Sequence, residues 1–558
     1  MSCSRTIGHC SRPGSLAGSG PRVRYAWRAA AVLAGTLLAA AAVHADSGGS
    51  IYLRGTFADG VPVRAQRDQN VSLEGAQAAC VNCHRRSGLG SIEGVITFPP
   101  IAGPYLFAAH GESLERLGVP FVDAERINHE AYTEASLARA IRDGTGANGK
   151  PLNYLMPRYQ LDDAAMSDLI TYLKGLNVRP APGVTPRELH FATIITPDAD
   201  PVKRSGMLAV MEQYFADKNN AVDRTKAPTL FSSHVTMFRV ERRWKLHVWE
   251  LSGAPATWEE QLRQHLAAEP VFAVISGLGG RNWAPVQRFC EQQALPCLFP
   301  NVEAPSGDDG DFYTIYFSRG VLLEAQLINS DLQEQSLRPH RIVQVYRAED
   351  VGAAAADALA KQSRSAALPV VNHALKAHAA PGELAGALRA VAPDDALVLW
   401  LRPPDLAALK NIPPPTQHVW VSGEMGELET APLPPAWRGA TRMAYPVDLP
   451  NLRVVRVDFA LSWFRMRKIP VVAPRVQADT YLACGLVSET LNHITDAFVR
   501  DYLIERVEMA LDHRALTGYY PRLTLAPGQR FASKGGYMVR FTGPDGTKLT
   551  PLGEWTTP

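Results

Sequence analysis

Beyond residue 188, short apolar runs alternate along the chain with longer segments whose apolar positions recur at helical spacing. Apolar runs of about four to eight residues are typical of buried strands, and longer periodic segments are typical of amphipathic helices. Strands are therefore predicted at residues 189–195, 245–251, 271–276, 295–299, 342–346, 396–401 and 418–422, and helices at 202–218, 258–267 and 283–293. Because strands that alternate with helices favour parallel sheets, this region is predicted to be α/β.

In the preceding region, several segments have apolar positions at helical spacing. Helices are predicted at residues 134–143 and 162–176, where Asp162 or Asp163 can cap the second helix. A shorter helix is predicted at residues 72–80. A proline-rich segment then separates the two regions. We therefore predict a multidomain chain in which an all-α domain at 46–178 is followed by a linker at 179–187 and an α/β domain at 188–558.

The first 45 residues have the pattern of an export signal. A leader with several arginines and no acidic residue precedes a run of small and apolar residues from Ala29 to Ala42. That run is shorter than the roughly 20 residues needed to span a bilayer, and Val43-His44-Ala45 offers small residues for cleavage. The mature chain is thus expected to begin at Asp46 in the periplasm, with a retained membrane anchor as the alternative. No later segment is apolar for long enough to predict a membrane span.

The charge of the chain gives no indication of a nucleic-acid partner. The whole sequence has 57 Lys and Arg against 55 Asp and Glu. Removal of the five arginines of the leader leaves 52 basic against 55 acidic residues, a net charge of −3. A chain of this size that is close to neutral lacks the basic surface that nucleic-acid binding requires.

The motif Cys80-Val81-Asn82-Cys83-His84 is the clearest chemical signal in the sequence. Two thiols at this spacing can add to the two vinyl groups of one haem, and the histidine that follows can then bind the iron. A zinc site would need further ligands at suitable spacing, and beyond His84 none is evident nearby. A thiol redox pair would normally lie between a strand and a helix, whereas a short helix is predicted before this motif.

The other cysteines of the mature chain lie in the α/β region. Cys290 and Cys297 lie at the end of a predicted helix and in the following strand. In an oxidising compartment they can form a disulfide or remain two buried thiols, and both interpretations stay open. Cys484 is predicted to be a small buried residue of a helix.

The region around the motif resembles the class I cytochromes c over about 125 residues. The resemblance depends on the order of the motif, FPPIAG at 98–103, GTGANG at 144–149, YLMPRY at 154–159 and the closing helix. It implies a haem between the first and last helices, with Met156 as the distal iron ligand and the Pro100 carbonyl bonded to the other ring nitrogen of His84. A thioether is a soft ligand that suits Fe(II), and His/Met ligation raises the reduction potential.

Other residues compete for these roles. Met156 could instead be a packing residue of the core. In that case His110 or His129 could be the distal ligand. Met166 lies on one face of the last helix, where a core position is expected. Arg85 and Arg86 are expected either at a solvated edge or paired with the haem propionates.

The α/β region resembles the type I periplasmic binding proteins of the branched-chain amino acid transport group. The resemblance depends on FAVISGLGG at 272–280, LPCLFP at 295–300, FYTIYFSRGVLLEAQ at 312–326, the late helices between 480 and 512, and the terminal YYPRLTLAPGQRFASKGGYMVRF. It implies two lobes hinged around a cleft that can take a small molecule. Where family members place an acid, at a stretch matching residues 318–320, this chain has none, so no counter-charge for an amine is expected. Residues 277–282 form either a tight turn or, with Arg281, an anion site.

These patterns favour an electron carrier. One covalent haem c, with its iron, would be bound by Cys80, Cys83, His84 and Met156. The redox partner would be another cytochrome or a periplasmic quinoprotein dehydrogenase, which the resemblance implies. The alternative is a solute-binding or sensor protein in which the haem is regulatory. A haem enzyme is disfavoured because a methionine ligand leaves no open iron position, and no motif of a hydrolase or nucleotide-binding enzyme is present.

Overall fold

The computed structural model describes residues 47–107, 130–177, 181–225, 242–307, 310–334, 339–364, 368–377, 381–427, 429, 433–492, 494, 498–512, 518–526 and 528–558. The predicted signal peptide, His110 and His129 lie outside these residues. By their contacts the described residues form two compact units. The first contains residues 47–84, 100–107 and 130–177, and the second contains residues 85–99 and 181–558.

Up to residue 177 the chain is mainly helical. The helices are α1 at 47–54, α2 Val81–His84, α3 Gly103–Leu106, α4 Glu134–Asp143 and α5 Asp163–Gly175. The strands are short: β1 Arg64–Arg67, β2 Val71–Glu74, β3 Ser91–Glu93, β4 Ile96–Phe98 and β5 Arg158–Tyr159. The two longer predicted helices, at 134–143 and 162–176, are confirmed, and the Asp162 side chain caps α5 by accepting from the Ala165 N–H at 2.8 Å.

The core of the first unit lies where its first and last helices meet. Gly48 allows this close approach, since a Cβ on it would lie 2.2 Å from the Asp168 carbonyl oxygen of α5. One turn further along α1, the ring of Tyr52 contacts that of Tyr172, with centroids 5.3 Å apart. Leu137 and Ile141 of α4 belong to the same hydrophobic cluster. The unit is therefore a helical domain closed by its N- and C-terminal helices.

The helix predicted at residues 72–80 is wrong. Residues Val71–Glu74 form β2, which pairs antiparallel with β1, and Gly75–Ala78 form a single 3₁₀ turn. Strand β1 pairs on its other edge with β5, giving a three-stranded sheet of order β2-β1-β5. Pairing with the neighbouring strand β1 overrides the local helical spacing here.

The second unit is an alternating α/β structure. Its strands beyond residue 181 are β6 Glu188–Ile195, β7 Arg243–Glu250, β8 Ala273–Ile275, β9 Cys297–Leu298, β10 Thr314–Ile315, β11 Ile342–Arg347, β12 Val370–Leu375, β13 Ala396–Trp400, β14 Val419–Ser422, β15 Thr441–Tyr445, β16 Tyr537–Thr542 and β17 Lys548–Pro551. Its helices are α6 Pro201–Thr225, α7 Trp258–Ala268, α8 Ala284–Gln292, α9 Val321–Glu334, α10 Gly352–Ser363, α11 Pro381–Arg389, α12 Pro403–Ala408, α13 Gly423–Gly426, α14 Pro435–Arg438, α15 Pro450–Arg467, α16 Pro474–Asn492 and α17 Arg500–Asp512.

These strands form two sheets, each the centre of one lobe. The first sheet has the order β10-β9-β8-β6-β7 and is parallel throughout. The second has the order β12-β11-β13-β14-β15-β16-β17, parallel as far as β15 and antiparallel at its last two pairings. The predicted strands are confirmed. The prediction of a helical domain followed in the sequence by a two-lobed α/β region is confirmed as well.

The chain passes between the two lobes three times. It leaves the first sheet after β10 and enters the second lobe with α9, whose apolar face packs with Trp420. After β15 it returns, and Thr480 of α16 lies 2.9 Å from the Ser276 hydroxyl beside the first sheet. Phe531 still forms a bridge with Tyr316 of the first lobe before β16 pairs with β15. The carboxyl ends of the parallel strands of both sheets consequently border the same region.

Within the described residues, no helix is long and apolar enough to cross a membrane.

Candidate functional site

A single helical turn positions the cysteines and histidine of the motif. The backbone N–H groups of Cys83 and His84 both donate to the Cys80 carbonyl, at 3.2 and 3.0 Å, which forms α2. Cys80 and His84 are buried and Cys83 is half-buried. Neither cysteine forms a disulfide, which leaves both sulfurs for covalent attachment of a haem. The turn brings residues three positions apart to one side of the chain, so the two sulfurs share a face.

The electrostatics of Cys80 disfavour a thiol redox pair. Burial raises the pKa of Cys80 to about 11, although a hydrogen bond with the Tyr159 hydroxyl, at 3.8 Å, opposes that shift. Reactive thiols of redox pairs have lowered pKa values and carry thiolate at neutral pH. The motif follows a strand and a turn, not the helix predicted at 72–80, so the raised pKa of Cys80 is what disfavours a redox pair.

Met156 lies in the turn before α5, as its place in the sequence suggests. Its N–H donates to the Asn153 carbonyl at 3.0 Å, and its own carbonyl accepts from the Arg158 guanidinium. The side chain is half-buried and packs against the hydrophobic cluster that also contains Cys80. Met166, by contrast, is buried in the middle of α5.

The donor set of the first unit fits a covalent haem. Two cysteines that form no disulfide, a buried imidazole and a thioether that packs with the same core are the groups that would attach a haem c and ligate its iron. Pro100 is buried, and its carbonyl as a partner of the His84 ring stays a prediction. When bound, the haem supplies one-electron chemistry, and the residues of the chain determine its ligation and its access to water.

The segment that follows His84 belongs to the second unit. Ser87 is fully buried, and its N–H and hydroxyl donate to the two carboxylate oxygens of Glu505 at 2.8 and 2.6 Å. Arg86 lies 3.7 Å from Asp501 and over the rings of Phe312 and Tyr313. The expectation that Arg86 lies at a solvated edge is therefore wrong. Burial raises the pKa of Glu505 to about 8, against the effect of the two hydrogen bonds from Ser87.

Ion pairs join the two lobes at the carboxyl ends of their strands. Glu303, beyond β9 of the first sheet, accepts two hydrogen bonds from the Arg402 guanidinium at 3.0 and 2.6 Å. Arg402 also forms a bidentate pair with Asp350 of the second lobe, and Lys203 of α6 lies 3.3 Å from Glu303. Burial alone would raise the pKa of Glu303, but Arg402 and Lys203 lower it to about 2. These pairs hold the lobes together in the described state.

A second group of acidic side chains lies deeper in this region. Glu324 of α9 is fully buried and accepts from the Ser422 hydroxyl and, at 2.9 Å, from the Glu424 N–H. Burial and the neighbouring Glu424 carboxylate raise the pKa of Glu324 far above its usual value. Burial likewise raises the pKa of Asp479 to about 7, although Arg475 and the Tyr520 hydroxyl oppose the shift.

Two carboxylate oxygens of this acidic group accept no hydrogen bond from the described residues. Glu424 Oε2 and Asp479 Oδ1 are buried and have no hydrogen-bond partner among the described residues. Arg475 lies between the two side chains, 3.6 Å from Glu424 and 3.8 Å from Asp479. The expectation that an amine would find no counter-charge concerned residues 318–320, which contain no acid, and it stays a prediction. The signal in the sequence for this acidic group was the position of Glu424, just after a buried parallel strand.

The candidate anion site at Arg281 is occupied by the protein itself. The Asp198 carboxylate accepts from the Arg281 N–H at 2.8 Å and from the Thr196 hydroxyl at 2.7 Å. A Cβ on Gly280 would lie 2.2 Å from the Asp198 carboxyl carbon, so this turn requires glycine. Burial alone would raise the pKa of Asp198, but these hydrogen bonds lower it below its usual value.

The remaining cysteines are buried free thiols. Cys290 and Cys297 are not bonded to each other in the structure. Burial and the neighbouring Cys297 thiol raise the pKa of Cys290 well above its usual value. Cys484 is buried in α16, the environment predicted for it.

Comparisons with known proteins cover both regions. Residues 74–177 match the family model for cytochrome c. No curated protein matches the chain. Among solved structures, a fatty acid ABC transporter substrate-binding protein from Thermomonospora curvata is similar at 16% identity and a TM-score of 0.49, over 68% of this chain and 95% of that one.

Two further solved structures have similar values. A substrate-binding protein of an ABC transporter from Aeropyrum pernix has 14% identity and a TM-score of 0.49, over 67% of this chain and 96% of that one. The branched-chain amino acid transporter substrate-binding protein LivJ from Streptococcus pneumoniae, in complex with isoleucine, has 12% identity and a TM-score of 0.47, over 67% and 100%. The chain thus carries a cytochrome c domain at residues 74–177, a class of domain that binds haem c and transfers electrons, followed by a two-lobed α/β region.

Proposed function

We propose that the protein is an exported c-type cytochrome that transfers single electrons in the periplasm and has no substrate of its own to convert. One covalent haem is bound through Cys80 and Cys83, with His84 and Met156 as the iron ligands. The observation that carries this proposal is the Cys80–His84 motif, whose cysteines form no disulfide and whose histidine is buried, in a unit whose core also includes Met156. The electron partner is another cytochrome or a quinoprotein dehydrogenase of the same compartment.

The side-chain environment supports a closed iron site. His84 is buried, and the hydrogen bond of its backbone N–H to the Cys80 carbonyl fixes its backbone in α2. Met156 is fixed by the turn at Asn153 and by the bond from Arg158 to its carbonyl. Two protein ligands on opposite sides of an iron leave no position for a substrate, which suits a carrier and disfavours a catalyst.

The test is the visible spectrum of the purified mature protein, oxidised and reduced, with and without carbon monoxide. A low-spin spectrum that carbon monoxide does not change supports the His84/Met156 carrier. Rapid binding of carbon monoxide would show an open or labile position and would favour a sensor or an enzyme. N-terminal sequencing of the same sample tests cleavage near Ala45.

Replacement of both motif cysteines by serine, Cys80→Ser with Cys83→Ser, is expected to abolish covalent haem attachment, because no thiol remains to add to the vinyl groups. Each single variant retains one attachment point at most. Intact-protein mass and haem staining on a denaturing gel measure the effect. Cys484→Ser, a buried cysteine of α16, is the matched control and keeps the full mass of the haem adduct. A double variant that still carries covalent haem would contradict the assignment.

A second function is supported by the unpaired carboxylate oxygens of Glu424 and Asp479. We propose that the region between the lobes binds a small molecule through a cationic or hydrogen-bond-donating group at these two oxygens. Buried carboxylate oxygens without partners are costly, and a donor from a ligand removes that cost. Arg475, beside both side chains, is available to an anionic group of the same molecule.

The variants Glu424→Gln and Asp479→Asn are expected to weaken such a ligand by roughly 10- to 100-fold each, the value of a hydrogen bond to a charged group. Isothermal titration with isoleucine, the ligand of LivJ, and with the diamine putrescine is the measurement. The deaminated analogue 3-methylpentanoate should bind more weakly than isoleucine, and Glu212→Gln on the exposed surface of α6 is the control variant. Equal binding of isoleucine and its deaminated analogue would exclude the amine contact.

A further inference from the structure

Exposed apolar side chains are concentrated on one part of the second unit. Of the large apolar residues that are exposed in the described part of the chain, more than half lie between residues 452 and 472. They include Val455 at 82% and Met466 at 72% exposure, together with Leu452, Val454, Phe459, Val471 and Val472. Scattered exposed apolar residues are ordinary, but such a concentration marks an interaction surface.

Four of these residues form a stripe along α15, which we name the α15 stripe: Leu452, Val455, Phe459 and Met466. Successive members are three, four and seven positions apart. This is the heptad spacing of an apolar seam between two packed helices, with Ser462 at the one seam position that is not apolar. The opposite face of α15 is already buried, through Arg453, Ala460 and Phe464. The helix therefore has one seam for its own lobe and a second seam that faces outwards.

The charges around the stripe are compensated within the chain. Arg465 lies 3.0 Å from Asp458, and Arg467 lies 2.8 Å from Asp217. The other two arginines of α15 are also paired, Arg453 with Glu429 and Arg456 with Asp448. A cationic surface for anionic lipid or an acidic partner would need uncompensated arginines, and the arginines of this helix do not supply them. Because the stripe is apolar and the arginines of its helix are paired within the chain, it suits a partner surface that is also apolar.

We infer that the α15 stripe is the contact surface for a second copy of this chain. In an antiparallel pair of α15 helices related by a two-fold axis, Phe459 lies opposite Ser462 of the second copy, and Met466 lies opposite its Val455. The same register places Asp458 beside Arg465 of the second copy, and the symmetry repeats that pair on the other side. Apolar seam and flanking charges are thus both self-complementary, as an isologous contact requires.

Sedimentation velocity of the purified mature holoprotein over a range of concentrations tests this inference. The wild-type protein is expected to dimerise, and Phe459→Glu to weaken the dimer by about 30-fold or more, because it buries an unpaired charge at the centre of the seam. Val95→Glu is the matched control, since Val95 is 92% exposed and lies far along the chain from α15. An unchanged haem spectrum and unchanged far-UV circular dichroism show that the variants fold.

Charge exchange provides a second, independent readout. Asp458→Arg and Arg465→Asp each place like charges opposite one another in the pair and should weaken the dimer, whereas the double exchange restores opposite charges and should recover it. A wild-type protein that stays monomeric at every concentration would overturn the inference. So would a dimer that Phe459→Glu leaves intact, or a monomer that binds neutral phosphatidylcholine vesicles through the stripe.

Discussion

Replacing Met156 by leucine is expected to give an iron that binds carbon monoxide and a midpoint potential that falls markedly. Leucine has nearly the volume of methionine, so the packing of this side chain with the core around Cys80 is preserved while the thioether is lost. Axial ligands set haem potentials over a range of roughly 0.8 V, and loss of a methionine sulfur moves the potential towards its lower end. The readouts are the visible spectrum with and without carbon monoxide and a potentiometric titration.

Met166→Leu is the matched control for this experiment. Met166 is buried in α5 of the same unit, so the substitution makes the same chemical change at a position of the core. Its spectrum and potential should equal those of the wild-type protein. If Met156→Leu left both unchanged, Met156 would be a packing residue and the sixth ligand would have to be sought elsewhere. If Met166→Leu produced the change instead, the assignment of the two methionines would be reversed.

The second large expected effect is a loss of stability of the α/β region as the pH rises from about 5.5 to about 8.5. Burial raises the pKa of Asp479 to about 7 and that of Glu505 to about 8, and burial beside Glu424 raises that of Glu324. Above the usual pKa of a carboxyl group, the folded state keeps protons that the unfolded state releases. Stability therefore falls with pH until each folded-state pKa is passed, by up to about 1.4 kcal/mol per pH unit for each group.

Glu324→Gln isolates one contribution to this pH dependence. The amide can still accept from the Glu424 N–H and can donate to the Ser422 hydroxyl, so the buried contacts are kept while the titration is removed. The variant should be more stable than the wild-type protein at the alkaline end, with a flatter dependence on pH. Urea unfolding followed by tryptophan fluorescence reports this region, since every tryptophan except Trp27 lies beyond residue 240.

A control variant distinguishes the titration of a buried carboxyl group from the effect of removing any one negative charge. Glu212→Gln removes a carboxylate from the exposed surface of α6 and should leave the slope of stability against pH unchanged. A wild-type slope of zero or of the opposite sign would show that the buried carboxyl groups are ionised in the folded protein. An unchanged slope in Glu324→Gln would assign the proton uptake to Asp479 and Glu505 alone.

The sequence was most informative where the chemistry or the burial is local. Cys80, Cys83 and His84 lie within five residues, and their spacing alone indicates haem attachment. Seven strands of the two sheets were predicted, because strands buried on both faces tend to be apolar runs, as at residues 271–276, whereas β12 and β15, for example, were not predicted. The helix at 72–80 was wrongly predicted because its local spacing does not show that β2 pairs with β1.

The acidic group between the lobes was missed because its members are far apart in the sequence. Glu324, Glu424 and Asp479 come from three different helices, and only the crossing of the chain between the lobes brings them together. The environment of Arg86 was missed for the same reason, because Phe312 and Asp501 are more than 200 positions away. Such contacts depend on topology, which the pattern of a single segment does not contain.

The antiparallel end of the second sheet affects how this chain must be made. Strand β15 pairs with β16, so that Tyr445 lies opposite Tyr537, and helices α15, α16 and α17 lie between the two strands in the sequence. Until the last part of the chain arrives, β15 has an open edge with unpaired backbone groups, the kind of surface that recruits other strands into aggregates. A product that ends before Tyr537 retains that edge permanently. The last two strands cover that edge, so products that lack them are expected to aggregate.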